Sequence, residues 1–382
     1  MRTIKAAIVG TGFMGPAHTE ALRRLGFVEI VALVASTQQR AEQRASELGI
    51  PRAYGDYRQM LEDPAIEVVH NCTPNHLHFE VNTAILQSGK HCLSEKPLAT
   101  TSEESRALVA LAQQTGKVNA VNFNYRCYPM VRQAKAMCDA GEVGDIYGAH
   151  GSYLQDWLYL DSDYNWRLDP KLSGASCAVA DIGSHWCDLL QFITGRTIIE
   201  VLGRLRTTHK VRKKAKVTME AFAGKLLRPE DYEEVSIESE DYASVMFALD
   251  NGAHGSFVVS QVSAGRKNRL WCEIDGSACA LALDLERPNE LWVGHRDRGN
   301  EVLVKDPSLL AESARPFAHY PGGHPEGYPD GFKNMFLNVY RKIAGATEEV
   351  DFPTFADGHR MVVIVEAILA SHRSQRWTKV AH

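Results

Sequence analysis

The chain predicts an α/β N-terminal domain built on a doubly wound parallel sheet, followed by an α+β domain with a large, mostly antiparallel open sheet. Three observations carry that prediction. Strand-like and helix-like stretches alternate up to about residue 122, as a parallel sheet with helical crossovers requires. The first apolar run leads straight into Gly10-Thr11-Gly12-Phe13-Met14-Gly15. From residue 146 the pattern changes to alternating, β-rich runs. The predicted domain boundary lies between 124 and 125, giving parts 1–124 and 125–382.

Bulk properties agree with two soluble domains. A chain of 382 residues with 45% hydrophobic content can bury two cores. A net charge of -5 argues against nucleic acid or an anionic membrane as the main partner. No apolar run approaches the roughly 20 residues of a membrane span. Met1-Arg2-Thr3-Ile4-Lys5 enters a strand without an apolar leader, so a cytoplasmic protein is expected. The eight cysteines form no C-x-x-C pair and sit among apolar neighbours, which predicts reduced core thiols rather than disulfides or zinc.

Taken in order, Ile4 to Val9 is a near-continuous apolar run, as in a strand covered on both faces. With a helix predicted over about 16–25, the glycines after it form a G-x-G-x-x-G dinucleotide fingerprint in its proper context. Gly10 permits the tight turn, Gly12 lets the backbone approach a pyrophosphate, and Gly15 lets helix and strand pack closely. The helix start adds free N–H groups and a positive dipole end. The first domain is therefore read as a Rossmann domain. A second strand over 28–35 ends in Ser36-Thr37-Gln38-Gln39-Arg40, where NAD-preferring proteins usually carry an Asp or Glu. Hydroxyls with Arg40 suit a 2′-phosphate, which tilts the cofactor towards NADP over NAD; Arg40 as a plain surface residue is the alternative.

A helix over 38–48 is stopped by Gly49 and Pro51. A strand over 66–72 runs into Thr73-Pro74-Asn75-His76-Leu77-His78, read as a loop lining the cofactor groove. His76 and His78 are two apart and share no helix face, so no metal site is expected. The next helix, 77–88, ends at Gly89. A strand over 90–95 then delivers Glu95-Lys96-Pro97. Pro97 keeps Lys96 out of helical geometry at the carboxyl end of a parallel strand, where open α/β sheets bind ligands. A solvated loop lysine beside a glutamate fits the same residues. A helix from Ser102 through Gln114 and a strand over 118–122 complete the domain, with Asn124 just beyond.

The second domain opens with a helix over 129–140, broken by Gly141 and Gly144. Alternating strands follow at 147–154, 201–207, 243–249, 255–262, 270–274 and 279–285, with Asn251-Gly252 as a hairpin turn. Helices are expected on one face of that sheet. The basic run Lys210, Arg212, Lys213, Lys214, Lys216 reads as a solvated loop insertion, and the Pro-, Gly- and His-rich stretch 310–331 as an ordered loop near a ligand. Helices over 332–344 and 358–372 close the chain.

The chemistry of this half concentrates after Gly174. An apolar stripe of Leu189, Leu190, Phe192 and Ile193 places Asp181, His185 and Asp188 on the first turns of one helix. Asp181 and His185, four apart, then share a face. A histidine beside a carboxylate titrates near neutrality and can exchange a proton with a hydroxyl. A capped helix with a core histidine would show the same letters.

Gly10 to Gly15, Glu95-Lys96-Pro97 and Gly174-x6-Asp181-Ile182-Gly183-x-His185-x2-Asp188, in this order, resemble the Gfo/Idh/MocA oxidoreductase family over essentially the whole chain. Tyr153-Leu154-Gln155-Asp156-Trp157, Trp166-Arg167 and Phe355-Ala356-Asp357-Gly358 resemble its anhydrosugar- and glycoside-oxidising branch. The resemblance implies an NAD(P)-dependent dehydrogenase acting on a ring hydroxyl or ketone of a sugar, anhydrosugar, glycoside or cyclitol, and a homo-oligomer, tetramer or dimer. It implies cofactor contacts from Gly10, Gly12, Phe13, Met14, Gly15, Ser36, Thr37, Arg40, Thr73, Pro74, Asn75, His78, Glu95, Lys96 and Asn124. It makes His185 the general base, Asp181 an orienting group, and Lys96 the donor to the reacting oxygen. Tyr125, Arg126, Tyr153, Gln155, Asp156, Trp157, Trp166 and Arg167 join these three as the sugar pocket. Aromatic faces there would cover C–H bonds while amide, carboxylate and guanidinium take hydroxyls. The chain departs from the branch at Ser36-Thr37, where an acidic residue is expected, and in an insertion around 209–236. Two other classes remain: a non-catalytic cofactor-sensing regulator, which would not need Lys96 and His185, and a redox-neutral enzyme that oxidises transiently to cleave a glycosidic bond.

Overall fold

The computed structural model describes residues 1–216 and 229–381. Contacts divide the chain into two compact units, Met1–Asn124 with Pro329–Val362 and Tyr125–Tyr328 with Val363–His382.

The first unit begins β1 (Ile4–Val9), α1 (Met14–Arg23), β2 (Val28–Val34) and α2 (Gln38–Leu48). It continues with β3 (Arg52–Tyr54), α3 (Tyr57–Leu61), β4 (Val68–Asn71) and α4 (His78–Gln87). β5 (His91–Ser94), α5 (Ser102–Thr115) and β6 (Asn119–Val121) complete the series. The strands lie in the order β3-β2-β1-β4-β5-β6, all parallel. Chain direction across the sheet reverses between β1 and β4, the switch point at which such sheets bind ligands. The limits of α2 follow from its caps: Thr37 accepts the Arg40 N–H, and Gly49 takes the left-handed conformation at φ 61°. α5 starts with a reciprocal cap, in which Thr101 accepts from Glu104 N and Glu104 accepts from Thr100 N. β3 and α3 were not expected; three and five residues are too few to show a period.

The second unit holds α6 (Pro129–Asp139), β7 (Ile146–Leu154), α7 (Pro170–Ser173), α8 (Ser184–Thr194) and β8 (Ile198–Arg206). β9 (Val211–Ala215), β10 (Tyr232–Ser236), β11 (Tyr242–Leu249) and β12 (His254–Ser260) follow. Then come β13 (Arg269–Gly276), β14 (Ala280–Asp284), β15 (Glu290–Gly294) and β16 (Glu301–Val304). The chain ends with α9 (Tyr328–Ile343), α10 (Phe355–Ser374) and β17 (Thr378–Lys379). Nine strands make the large sheet, β16-β15-β14-β13-β7-β12-β11-β8-β17, antiparallel except where β12 lies beside β7. The Asn251-Gly252 turn joins β11 to β12, with Gly252 at φ 87°. α8 seats on this sheet through Trp186, which stacks on Phe257 at 4.5 Å and donates from Nε1 to the Trp271 carbonyl at 3.0 Å. Gly151 makes that approach possible: a Cβ there would lie 2.6 Å from Trp186 Nε1.

Two expectations need correction. The basic run is a strand rather than a loop. β9 pairs with β10, so Lys213 and Lys214 face Glu234 and Glu233 across the ribbon. Arg212 is fully buried and binds Asp241 at 2.9 Å and the Leu160 carbonyl at 2.8 Å. The acidic partner strand lies about twenty residues on, too far for local spacing to reveal it. Residues 217–228 of the 209–236 insertion lie outside the described residues.

Residues 329–362, read as part of the second domain, pack with the first unit. Phe332, Phe336 and Tyr340 recur every four residues on α9 and form one face. That face meets the His18 and His70 rings, with Phe336 at 4.8 Å from His18 and 5.0 Å from His70. Asp330 pairs with Arg24 at 2.6 Å, and the Pro353 carbonyl accepts from Val121 N at 2.9 Å.

Among the described residues, no helix is long and apolar enough to cross a membrane. All eight cysteines are free thiols, and seven are buried. Burial pushes the thiols of Cys72 and Cys177 up, which leaves them poor nucleophiles.

Candidate functional site

In the first unit the loops after β1, β4 and β5 form a cradle. Gly10, at φ 108°, could carry no Cβ, which would lie 2.3 Å from the Cys72 carbonyl oxygen. A Cβ on Gly15 would lie 2.4 Å from Gly10 O. Gly12 has nothing within 4 Å of that position. Packing therefore demands the outer two glycines, while the middle one faces open space, which is what a pyrophosphate at the α1 N-terminus requires. Phe13 is exposed beside this turn and Met14 opens α1. Arg44 ties the loop to α2 by donating to Thr11 O at 3.2 Å.

The β4 and β5 loops are fastened together by His78. Its Nδ1 lies 2.6 Å from Pro97 O and its Nε2 2.8 Å from Thr73 O. Burial pushes this imidazole down, against the upward pull of the two carbonyls. His78 is thus the link between the two loops. Thr73 is tied by its hydroxyl to Asn71 at 2.7 Å, and Pro74 leads into the short turn Asn75–Leu77.

Glu95 is likewise buried. Its Oε1 accepts from His18 Nε2 at 2.9 Å and Asn122 Nδ2 at 2.5 Å, and its Oε2 from the Lys96 backbone N–H at 3.1 Å. Burial alone would push this carboxyl up. The His18 contact, the Asn122 bond and the nearby Lys96 charge outweigh it and hold Glu95 below the usual carboxylate range. Lys96 is half-buried at the end of β5, followed by a cis peptide bond to Pro97. Asn124 presents a buried Nδ2 with no hydrogen-bond partner among the described residues, a donor suited to a ligand. Ser36, Thr37 and Arg40 are exposed after β2, and the Thr37 hydroxyl is the α2 cap. An open glycine cradle and an orphaned buried amide both fit a bound dinucleotide.

In the second unit, Val179–Gly183 winds as a π turn ahead of α8, where a regular helix start was expected. Single π turns recur at functional sites because the extra residue re-aims side chains. Glu240 holds this start: its Oε1 accepts from Ser176 Oγ at 2.6 Å, Cys177 N at 3.1 Å and Val179 N at 2.9 Å. Asp181 faces Arg167 Nε at 3.3 Å through Oδ1 and accepts from Gln261 Nε2 at 3.0 Å through Oδ2. His185 is buried with its ring 4.7 Å from Tyr125 and 6.4 Å from Tyr153.

The two tyrosine hydroxyls lie 2.7 Å apart. Asn268 Oδ1 accepts from Tyr153 and from Gln155, both at 2.7 Å. Burial pushes both phenols up, so they stay neutral donors. Tyr125, Tyr153, Gln155, Arg167, Asp181 and His185 thus form one connected cluster. Trp166 lies beneath the Arg167 guanidinium at 4.7 Å, and Trp157 is half-buried nearby in the chain. Arg126 and Asp156 are engaged elsewhere: Arg126 makes a two-bond pair with Asp188 at 2.9 and 2.5 Å, and Asp156 binds Lys267 at 2.6 Å. Glu240, Gln261 and Asn268 escaped the sequence reading, since no motif marks single polar residues at strand ends. Separately, His150, Glu273 and Asp275 bring three ligand atoms within 4.8 Å of one another on the large sheet, partly open to solvent.

With this geometry in place, comparison with known proteins is informative. Residues 4–123 match the model of the oxidoreductase family with an NAD-binding Rossmann fold, and residues 131–282 that of the GFO/IDH/MocA C-terminal domain. Levoglucosan dehydrogenase of Pseudarthrobacter phenanthrenivorans is 29% identical over 396 residues, spanning 100% of this chain and 99% of that protein. The crystal structure of an oxidoreductase domain protein from Kribbella flavida matches with TM-score 0.90 and 31% identity, each chain covered in full. Levoglucosan dehydrogenase in complex with NADH and L-sorbose matches with TM-score 0.90 and 28% identity, again over 100% of both chains.

Proposed function

The chain belongs to the Gfo/Idh/MocA oxidoreductase family, and from that premise we propose that it is an NAD(P)-dependent dehydrogenase acting on a ring hydroxyl of a sugar, anhydrosugar, glycoside or cyclitol. The observation that carries this reading is the Asp181 turn. There an arginine-paired carboxylate stands on a π turn held by Glu240, and a buried histidine stands on the first turn of α8 that follows it, in a chain whose other unit carries a dinucleotide cradle.

A bound nicotinamide supplies the hydride acceptor; the chain's own residues bind, orient and move the proton. His185 takes the proton from the reacting hydroxyl oxygen. Lys96 donates a hydrogen bond to that same oxygen and stabilises the negative charge that grows on it as the C–H bond breaks. Asp181, held from two sides by Arg167 and Gln261, orients the substrate. Tyr125, Tyr153, Trp157 and Trp166 offer surfaces for the sugar's C–H bonds, and Gln155 and Arg167 reach its hydroxyls. Arg126, Asp156, His78 and Glu95 support these groups. Ser36 and Arg40, exposed after β2 without a carboxylate, support NADP. The levoglucosan dehydrogenase relative was solved with NADH, so both cofactors belong in the test. We place the enzyme in the cytoplasm as a homo-oligomer, dimer or tetramer, whose open sheet face is covered by a second copy.

The test is a titration with NAD and NADP followed by a panel of polyols, anhydrosugars and glycosides, read by reduced-nicotinamide absorbance. Stoichiometric NAD(P)H with one of them supports the reading. Glycoside cleavage without net NAD(P)H would replace it with the redox-neutral one.

A further inference from the structure

A row of buried side chains in the first unit leads to Lys96 through Glu95, and the proposed chemistry gives no role to the His18, His70 and Tyr340 behind that glutamate. Tyr340 on α9 places its hydroxyl 2.9 Å from His70 Nε2. His70 Nδ1 lies 2.9 Å from His18 Nδ1, and His18 Nε2 lies 2.9 Å from Glu95 Oε1. The other Glu95 oxygen accepts the Lys96 backbone N–H at 3.1 Å. His18, His70 and Tyr340 are all fully buried. Cys72 Sγ stands 3.4 Å from His18 Nδ1, and Asn122 Nδ2 is the second donor on Glu95 Oε1.

Two imidazoles and a carboxylate buried together are costly unless every polar atom is matched. Apolar side chains of similar size would make a cheaper core. The matching also has a direction. A neutral imidazole has one N–H and one acceptor nitrogen. Burial, with His18 beside it, pushes His70 well down, so it is neutral. If its Nδ1 donates to His18, its Nε2 must accept from Tyr340; if Nε2 donates, Nδ1 must accept. The Glu95 carboxylate can only accept, so the order is set from that end: His18 Nε2 donates to it, and where His18 Nδ1 accepts, His70 Nδ1 donates and His70 Nε2 accepts from the Tyr340 hydroxyl. Phe332 and Phe336 pack edge-on against His18 at 5.6 and 4.8 Å and restrict its ring.

We propose that His18, backed by His70 and Tyr340, is a positioning residue for Lys96: it holds the Glu95 carboxylate in the orientation in which Oε2 receives the Lys96 N–H. The role rests on the catalytic reading of Lys96, but the geometry can be tested without a substrate.

The probe is the Lys96 backbone amide, read by NMR in protein carrying ¹⁵N-lysine and assigned with Lys96→Arg. His18→Gln keeps a side-chain N–H near the Nε2 position and loses the link to His70; His18→Leu loses both. In His18→Leu the Lys96 amide resonance moves and kcat falls about tenfold or more, since misplacement of about 1 Å can cost ~100-fold. Dinucleotide affinity, read by protein fluorescence, stays within about threefold. His18→Gln returns the amide and most of kcat. Tyr340→Phe, which removes one hydroxyl and spares the packing, moves the amide in the same direction. An unmoved Lys96 amide in folded His18→Leu or in Tyr340→Phe overturns the proposal, as does a His18→Gln protein no better than His18→Leu. If no carbohydrate is oxidised by any form, the functional reading fails while the amide shifts still decide the positioning claim.

Discussion

Arg167 holds Asp181: the guanidinium Nε stands 3.3 Å from Oδ1, while the Trp166 ring packs against the same guanidinium at 4.7 Å. The pair ties the stretch bearing Trp166 to the turn that carries the aspartate. Both partners are largely buried, with side-chain exposures of 22% and 9%, so this ion pair is screened less than one in open solvent. Arg167→Met should raise the sugar KM about tenfold or more, because it leaves the Asp181 charge without its buried counter-ion. The dinucleotide dissociation constant should stay put. Steady-state kinetics beside a fluorescence titration would show the split, and an unchanged KM would remove Arg167 from the pocket.

Lys96 and His185 are predicted to act on one oxygen. Lys96→Met should lower kcat by about 10²–10³ and His185→Asn by about 10²–10⁴. Groups that work as a unit are not additive, so the double variant should be barely worse than the poorer single one. Full additivity of the two losses would mean independent roles.

Glu240 separates acceptor from charge. Its pKa is raised by burial, against the pull of the Ser176, Val179 and Cys177 donors. A raised carboxyl stabilises the fold below its ordinary value, and that contribution is lost as pH rises through the folded value. Three of its donors share Oε1, and a glutamine retains that oxygen. Glu240→Gln should therefore be as stable as the parent at neutral pH, or more so. Glu240→Ala should lose about 2–4 kcal/mol by stranding a hydroxyl and two N–H groups. Urea unfolding at neutral pH would distinguish these outcomes.

Glu95 carries the opposite sign. Its folded pKa lies below the ordinary value, so its contribution is present above about pH 4.3 and is lost as pH falls through the folded value. His70, His78 and His91, the last lowered to about 4, also weaken the fold on acidification, starting below the ordinary histidine value. Comparison with Glu95→Gln removes that shared background. The urea midpoint of the parent should exceed that of the variant at neutral pH, and the gap should narrow as pH falls below about 4.3. A gap independent of pH would mean that Glu95 acts by shape rather than charge.

The proposal of NADP turns on Arg40. If the exposed guanidinium meets a 2′-phosphate, Arg40→Ala should raise the NADP KM about tenfold or more and change that for NAD less than about twofold. Equal effects on both would mark Arg40 as an ordinary surface residue of α2.

Legibility in the sequence tracked how local the cause was. α2 could be read to the residue because Thr37 and Gly49 act within one turn of its ends. The glycine cradle could be read because each glycine's role depends on its neighbours in the loop. The π turn could not, since one added residue leaves the apolar stripe of α8 intact. Nor does any spacing connect Glu240 to Ser176, Gln261 to Asp181 or Asn268 to Tyr153; those meetings are made by the sheet. The basic run misled for the same reason, because its partner strand and the burial of Arg212 are tertiary facts. The return of α9 to the first unit was hidden too, since its apolar spacing identifies a buried face without naming what covers it.

That return limits how the gene can be cut. A fragment ending at residue 124 would keep the glycine cradle and Lys96, yet it would strip His70 of the Tyr340 hydroxyl and His18 of two phenylalanine rings. The edge beside Val121 would lose the Pro353 carbonyl. A minimal nucleotide-binding module would instead splice 329–362 onto 1–124. The module is thus discontinuous in the gene, and exchanging 125–328 together with 363–382 between relatives, with 329–362 left in place, is the graft that keeps each unit whole.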